Sequence, residues 1–99
     1  MVKHIILWKL KEEHNNREVK NGIKQGLEGL MGKISGLLEI KVQIKTLESS
    51  NVDVMLYSVF ENEAALKGYA EHPEHVRVAD TFVRPFTELR SCIDFCDEL

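Results

Sequence analysis

A chain of 99 residues has room for one domain, taken here as 1–99, and not for two. An apolar fraction of 43% and a charged fraction of 29% are those of an ordinary globular protein and argue against extended disorder. Lys and Arg number 13 against 16 Asp and Glu, and the resulting net charge of −3 speaks against a nucleic-acid partner.

Val2 to Leu10 reads as a strand, with Ile5, Ile6, Leu7 and Trp8 in succession making both faces apolar. Lys11 to His14 is a polar turn. Asn15 or Asn16 caps a helix predicted over 16–34, on which Val19, Ile23, Leu27, Leu30, Met31 and Ile34 recur at helical spacing. Gly22 and Gly26 lie near this stripe and are expected to let the helix sit close on the sheet. Ser35-Gly36 ends it. Leu38, Ile40, Val42 and Ile44 alternate with polar residues, a half-buried strand. Glu48 to Asn51 turns, and Val52 to Phe60 is a third strand, again apolar on both faces. Glu61 to Glu71 reads as a helix. His72-Pro73 interrupts it and starts a shorter one, since proline suits a first helical turn. Thr87 to Cys96 is the last strand, with Leu89, Ile93 and Phe95 on one face.

The order β-α-β-β-α-β predicts an α+β fold of ferredoxin-like type, a four-stranded antiparallel sheet with helices on one face. Strands apolar on both sides then leave several hundred Å² of apolar surface on the open face, more than a soluble monomer tolerates. The expectation is a homodimer, two sheets packed face to face. Cys92 and Cys96 on one strand lie ~13 Å apart at ~3.3 Å per residue. That is too far for a disulfide, and the pair is read as reduced thiols. The opening apolar run stops at Lys9, too short for a signal peptide, and no ~18-residue apolar stretch spans a membrane. A cytoplasmic location is expected.

The segments Val2 to Leu10 and Ala65-Leu66-Lys67-Gly68-Tyr69-Ala70-Glu71-His72-Pro73-Glu74-His75-Val76 resemble the stress-responsive dimeric α/β barrel (Dabb) domain family. Leu27 to Leu30, Ile34 to Leu37, Asp80 and Arg84-Pro85 extend the likeness over nearly the whole chain. The resemblance implies two ferredoxin-like units whose sheets close into a shared barrel. Many members have no known activity. One plant branch is a cofactor-free polyketide cyclase, and by residue match its acid–base pair falls on Tyr69 and His75, with His4 lining the same pocket. Some plant members hold magnesium on backbone carbonyls, which correspond to Met31, Ile34 and Leu37. No other cofactor is implied.

The candidate pocket residues are His4, Trp8, His72 and Phe86, around a catalytic pair of His75 and Tyr69. An imidazole titrating near neutrality beside a phenol can deprotonate carbon next to a carbonyl and hold the enolate by hydrogen bonding. The plainer alternative is that His72 and His75 cap helix ends and Tyr69 fills the core. His4 is either a satisfied structural histidine or a pocket residue. Trp8 is either core or a filler of the pocket that the plant cyclases leave open. Ile23 and Leu27 stand where those cyclases carry aromatic residues, which weakens carry-over of a long polyketide substrate. Three imidazoles, those of His4, His72 and His75, have no spacing that specifies a metal site.

Two functions stay open: a homodimer that binds an apolar or carbonyl-bearing metabolite, and a cofactor-independent cyclase, lyase or isomerase. A monooxygenase on the same barrel is a weaker third.

Overall fold

The structure, a computed structural model, describes residues 1–97. Strand β1 spans Val2–Leu10, helix α1 Arg17–Glu28, β2 Leu37–Gln43, β3 Val54–Phe60, α2 Glu63–Glu71, α3 Pro73–Val78 and β4 Thr87–Cys96. The sheet order is β2-β3-β1-β4 with every neighbouring pair antiparallel, the ferredoxin-like arrangement expected from the sequence. No helix is long and apolar enough to cross a membrane.

Period-two geometry divides β1 cleanly. Val2, His4, Ile6, Trp8 and Leu10 are buried under the helices, while Leu7 and Lys9 are exposed on the other face. The expectation that β1 is buried on both sides therefore fails for the single chain, while β3 has no exposed residue. Leu7, Leu89, Ile93 and Phe95 are all exposed on the face without helices, and in register Ile93 sits beside Ile5, which sits beside Tyr57.

The first helix is shorter than its apolar spacing predicts. It stops at Glu28, with Gly29 as its C-cap, and Leu30 to Ser35 continue as turns. Leu30 and Ile34 still reach the core from those turns, which is why they kept helical spacing. Two contacts fix the stop. The Glu28 carboxylate accepts from Lys24 Nζ at 2.8 Å and from the Val42 N–H at 2.9 Å, tying the helix end to β2. Gly32 and Gly36 take positive φ, 85° and 84°, and reverse the chain into β2. The second strand accordingly runs 37–43, not 38–45.

Gly22 and Gly26 do permit a close approach, but to α3 and the turn after it, and not to the sheet. A Cβ at Gly26 would stand 3.0 Å from both Phe82 and Val78 side chains. Asn16 and Asn62 cap α1 and α2 through side-chain oxygens that accept from Val19 and Ala65 N–H. After α3 the chain widens into a π-helical turn over Ala79–Val83, then a 3₁₀ turn over Arg84–Phe86. Pro85 has no N–H to continue a helix.

Candidate functional site

Three elements meet over the middle of β1. Its inward residues His4, Ile6 and Trp8 form a floor; α2 supplies Leu66 and Tyr69; α3 and the π turn supply His75, Ala79 and Val83. Between them is a cavity of about 130 Å³, with Arg84 and Arg90 also among its lining residues. A void of this size takes a few waters or one small ring. Wide turns of this kind recur at functional sites, and here the π turn carries Ala79 and Val83 to the cavity.

Tyr69 is the centre of the arrangement. It is 1% exposed, and its ring lies 5.0 Å from Phe60, 6.2 Å from His4 and 4.2 Å from His75, centroid to centroid. Its hydroxyl is buried with no hydrogen-bond partner, the one such side-chain atom among the described residues. Leaving a buried hydroxyl unpaired costs about 1–3 kcal/mol. Burial also drives the phenol well above its ordinary pKa. The group therefore stays protonated and can serve as a hydrogen-bond donor into the cavity.

His75 is positioned by the break at His72-Pro73. Its Nδ1 bonds the Ala70 carbonyl at 3.3 Å. A carbonyl only accepts, so Nδ1 carries the proton and Nε2 keeps a lone pair. Burial is the main cause that pushes the imidazole below its ordinary pKa, with the charges of Arg84, His4 and Arg90 acting the same way. A neutral imidazole with a free basic nitrogen results.

His4 is 7% exposed, and its Nδ1 is hydrogen-bonded to Asp94 Oδ1 on the neighbouring strand, where the two residues are register partners. Its backbone carbonyl accepts from the Ser58 hydroxyl at 3.0 Å. Trp8 is both core and cavity wall, since it is 5% exposed and lines the void.

Two sequence candidates stand apart. His72 caps α3, its Nδ1 accepting from the Glu74 N–H at 3.1 Å, and it does not line the cavity. Phe86 lies on the outer side, its ring 5.0 Å from His14 and along a separate groove with Phe82. Of the carbonyls of Met31, Ile34 and Leu37, that of Ile34 is engaged by the Leu37 N–H at 3.3 Å, which closes the turn. Arg84, Arg90 and Asp94 were missed in the sequence. Arg84 pairs with Asp80 one turn back at 2.6 Å, and a strand position two residues from another is the only signal that could have aligned Arg90 and Asp94 with His4.

The profile of the family described as Stress responsive A/B Barrel Domain matches residues 2–97. Among solved structures, a dimeric protein of unknown function from Bacteroides fragilis is 36% identical, with 95% of this chain and 93% of that one covered and a TM-score of 0.86. An Arabidopsis thaliana protein is 22% identical over 100% and 97% of the two chains, with a TM-score of 0.84. A hydroxynitrile lyase from Passiflora edulis is 16% identical over 99% and 94%, with a TM-score of 0.81. The last two share the fold alone. A comparison with curated protein sequences finds no match.

Proposed function

The chain belongs to the stress-responsive A/B barrel domain family, and from that premise we propose that it is a homodimer binding a small, ring-sized, carbonyl-bearing molecule in the cavity around Tyr69. The orphaned Tyr69 hydroxyl carries this reading. A carbonyl oxygen on a bound ligand would satisfy it, whereas an apolar ligand would leave the cost in place. The volume of about 130 Å³ sets the size, and excludes a long polyketide chain from lying wholly inside. Arg84 and Arg90 favour an oxygen that bears negative charge.

Dimerisation is supported by the exposed apolar face of the sheet and by the dimeric state of the 36%-identical relative. Burying that face against its copy removes Leu7, Ile93 and Phe95 from water at roughly 25 cal/mol per Å².

A second reading rests on His75. With Nδ1 bound to Ala70, Nε2 is a base stacked on a phenol that donates. The pair suits cofactor-independent proton abstraction beside a carbonyl, the first step of a cyclase, lyase or isomerase.

Both readings are tested with acetophenone as a probe. Calorimetric titration should show saturable binding that weakens about tenfold in Tyr69→Phe, the loss of one hydrogen bond to a buried donor. Equal affinity in the two proteins would remove the first reading. Exchange of the probe's methyl protons for deuterium, followed by NMR, should be accelerated by the native protein and not by His75→Ala. Acceleration that survives the substitution would remove the second.

A further inference from the structure

A second cluster lies beside the cavity and is not used by that reading. Cys92 Sγ stands 3.8 Å from His4 Nδ1 and 3.6 Å from Asp94 Oδ1, and the same His4 nitrogen is hydrogen-bonded to the same Asp94 oxygen. Sulfur, nitrogen and oxygen atoms thus converge within 4.8 Å of one another, the one such trio of metal-ligating groups among the described residues.

The topology explains the meeting. His4 and Asp94 are register partners across β1 and β4, Cys92 precedes Asp94 by one pleat, and all three point to the helix side. A strand edge holds their backbones in place.

The trio could be a relay or a ligand set, and the geometry decides. In a catalytic triad the acid holds one imidazole nitrogen and the nucleophile faces the other. Here acid and thiol both face Nδ1, so no proton can pass through the ring between them. Three ligand atoms within 4.8 Å of one another can surround a single metal ion.

We propose that His4, Cys92 and Asp94 form a binding site for a thiophilic divalent cation of the zinc class. A tetrahedral ion ~2.1 Å from nitrogen and oxygen and ~2.3 Å from sulfur sets the sulfur about 3.6 Å from the other two ligands. The sulfur-to-nitrogen distance of 3.8 Å is close to that value, and the exposed Asp94 side chain supplies the remaining adjustment. The ion replaces the proton shared by His4 and Asp94, and the exposed Asp94 carboxylate moves back to coordination distance. Thiolate, carboxylate and neutral imidazole balance the charge of the cation. Asp94 is 44% exposed at its side chain, which leaves the fourth position to water. Imidazole with thiolate selects zinc or cobalt over magnesium or calcium.

Cobalt(II) titration of the full chain, reduced and stripped of metal, tests the site. A thiolate-to-cobalt charge-transfer band should rise in the near ultraviolet and saturate at one ion per chain. Cys92→Ser should abolish it, Asp94→Asn should weaken the apparent affinity by about tenfold or more, and Cys96→Ser should leave it unchanged. Cys92 and Asp94 are exposed, and circular dichroism checks that the variants fold. No band at excess cobalt, or a band that persists in Cys92→Ser, overturns the proposal. Neither Tyr69 nor His75 takes part, so the result stands whatever acetophenone does.

Discussion

The ring of His75 lies 4.2 Å from that of Tyr69 and 35° from parallel, although His72 and Pro73 break the helix between them. The break makes the contact. A continuous helix sets i and i+6 about 120° apart around its axis, and the extended conformation of His72, with ψ at 132°, turns α3 back toward α2. The phenol that results is buried and unpaired, which sets the first prediction. Tyr69→Phe removes an unsatisfied hydroxyl and keeps the ring contacts, so thermal unfolding should show it as stable as the native protein or more so, by up to about 1 kcal/mol. A loss of several kcal/mol would mean that the hydroxyl has a structural partner.

His75 links the same pair to pH. Burial holds its folded pKa below the ordinary value of 6.5. As pH falls below 6.5, the unfolded chain takes up a proton that the folded chain resists, so stability is full above that value and is lost on acidification. Denaturant titrations from neutral to mildly acidic pH should show this loss in the native protein and a flatter profile in His75→Gln. Parallel profiles would assign the acid sensitivity elsewhere.

The open sheet face gives the third prediction. Ile93 is 58% exposed in the single chain and sits beside Ile5. Ile93→Lys places a charge in the middle of the proposed dimer interface, so sedimentation velocity should show the native protein as a dimer and the variant as a monomer. A variant that sediments like the native dimer would move the interface elsewhere.

Glycine strain separates two turns. At Gly36 φ is 84° and an added Cβ would stand 2.5 Å from Ala65 Cβ, while at Gly32 φ is 85° with nothing within 4 Å. Gly32→Ala bears only the left-handed conformation, about 1 kcal/mol. Gly36→Ala adds the clash with α2 and should cost about 3 kcal/mol or more in chemical denaturation. Equal costs would show that α2 yields without penalty.

Glu28 offers a milder case. Burial alone would raise its carboxyl, but the Lys24 ammonium and the Val42 N–H outweigh that and hold it below 4.5. Its contribution is therefore present above 4.5 and lost as pH falls through the lower folded value. Glu28→Ala should destabilise by about 1 kcal/mol at neutral pH, allowing for solvent screening. The same difference should vanish in acid, and a constant difference across pH would contradict the ion pair.

Much of this architecture is legible in the sequence because its signals are local. The alternation from Ile40 to Ile44 and the asparagines ahead of α1 and α2 each act within one turn or pleat; Leu38 departs from it and is exposed, because a register shift between Leu37 and Glu39 turns Leu37 inward instead. The end of α1 was not legible, since Leu30 and Ile34 keep helical spacing while the chain is held by Glu28 reaching a strand 14 residues away. Burial of β1 on both sides was misread for a related reason, because composition shows that a face is apolar and not what covers it. Tyr69, His75, His4 and Trp8 gather around one cavity, but Phe86 and His72 do not, since a side chain's direction at a helix end depends on dihedral angles that sequence does not display. Arg90, Cys92 and Asp94 alternate along an edge strand whose partner is 90 residues away, a juxtaposition only the register supplies.

The helix-side positions of β4 have a lasting consequence. Arg90, Cys92, Asp94 and Cys96 point to the layered side yet are exposed, because the helices do not extend over that edge. A residue there can be exchanged with little effect on the core, while still lying within reach of His4. The groups that face His4 from this strand can therefore change without first disturbing the scaffold.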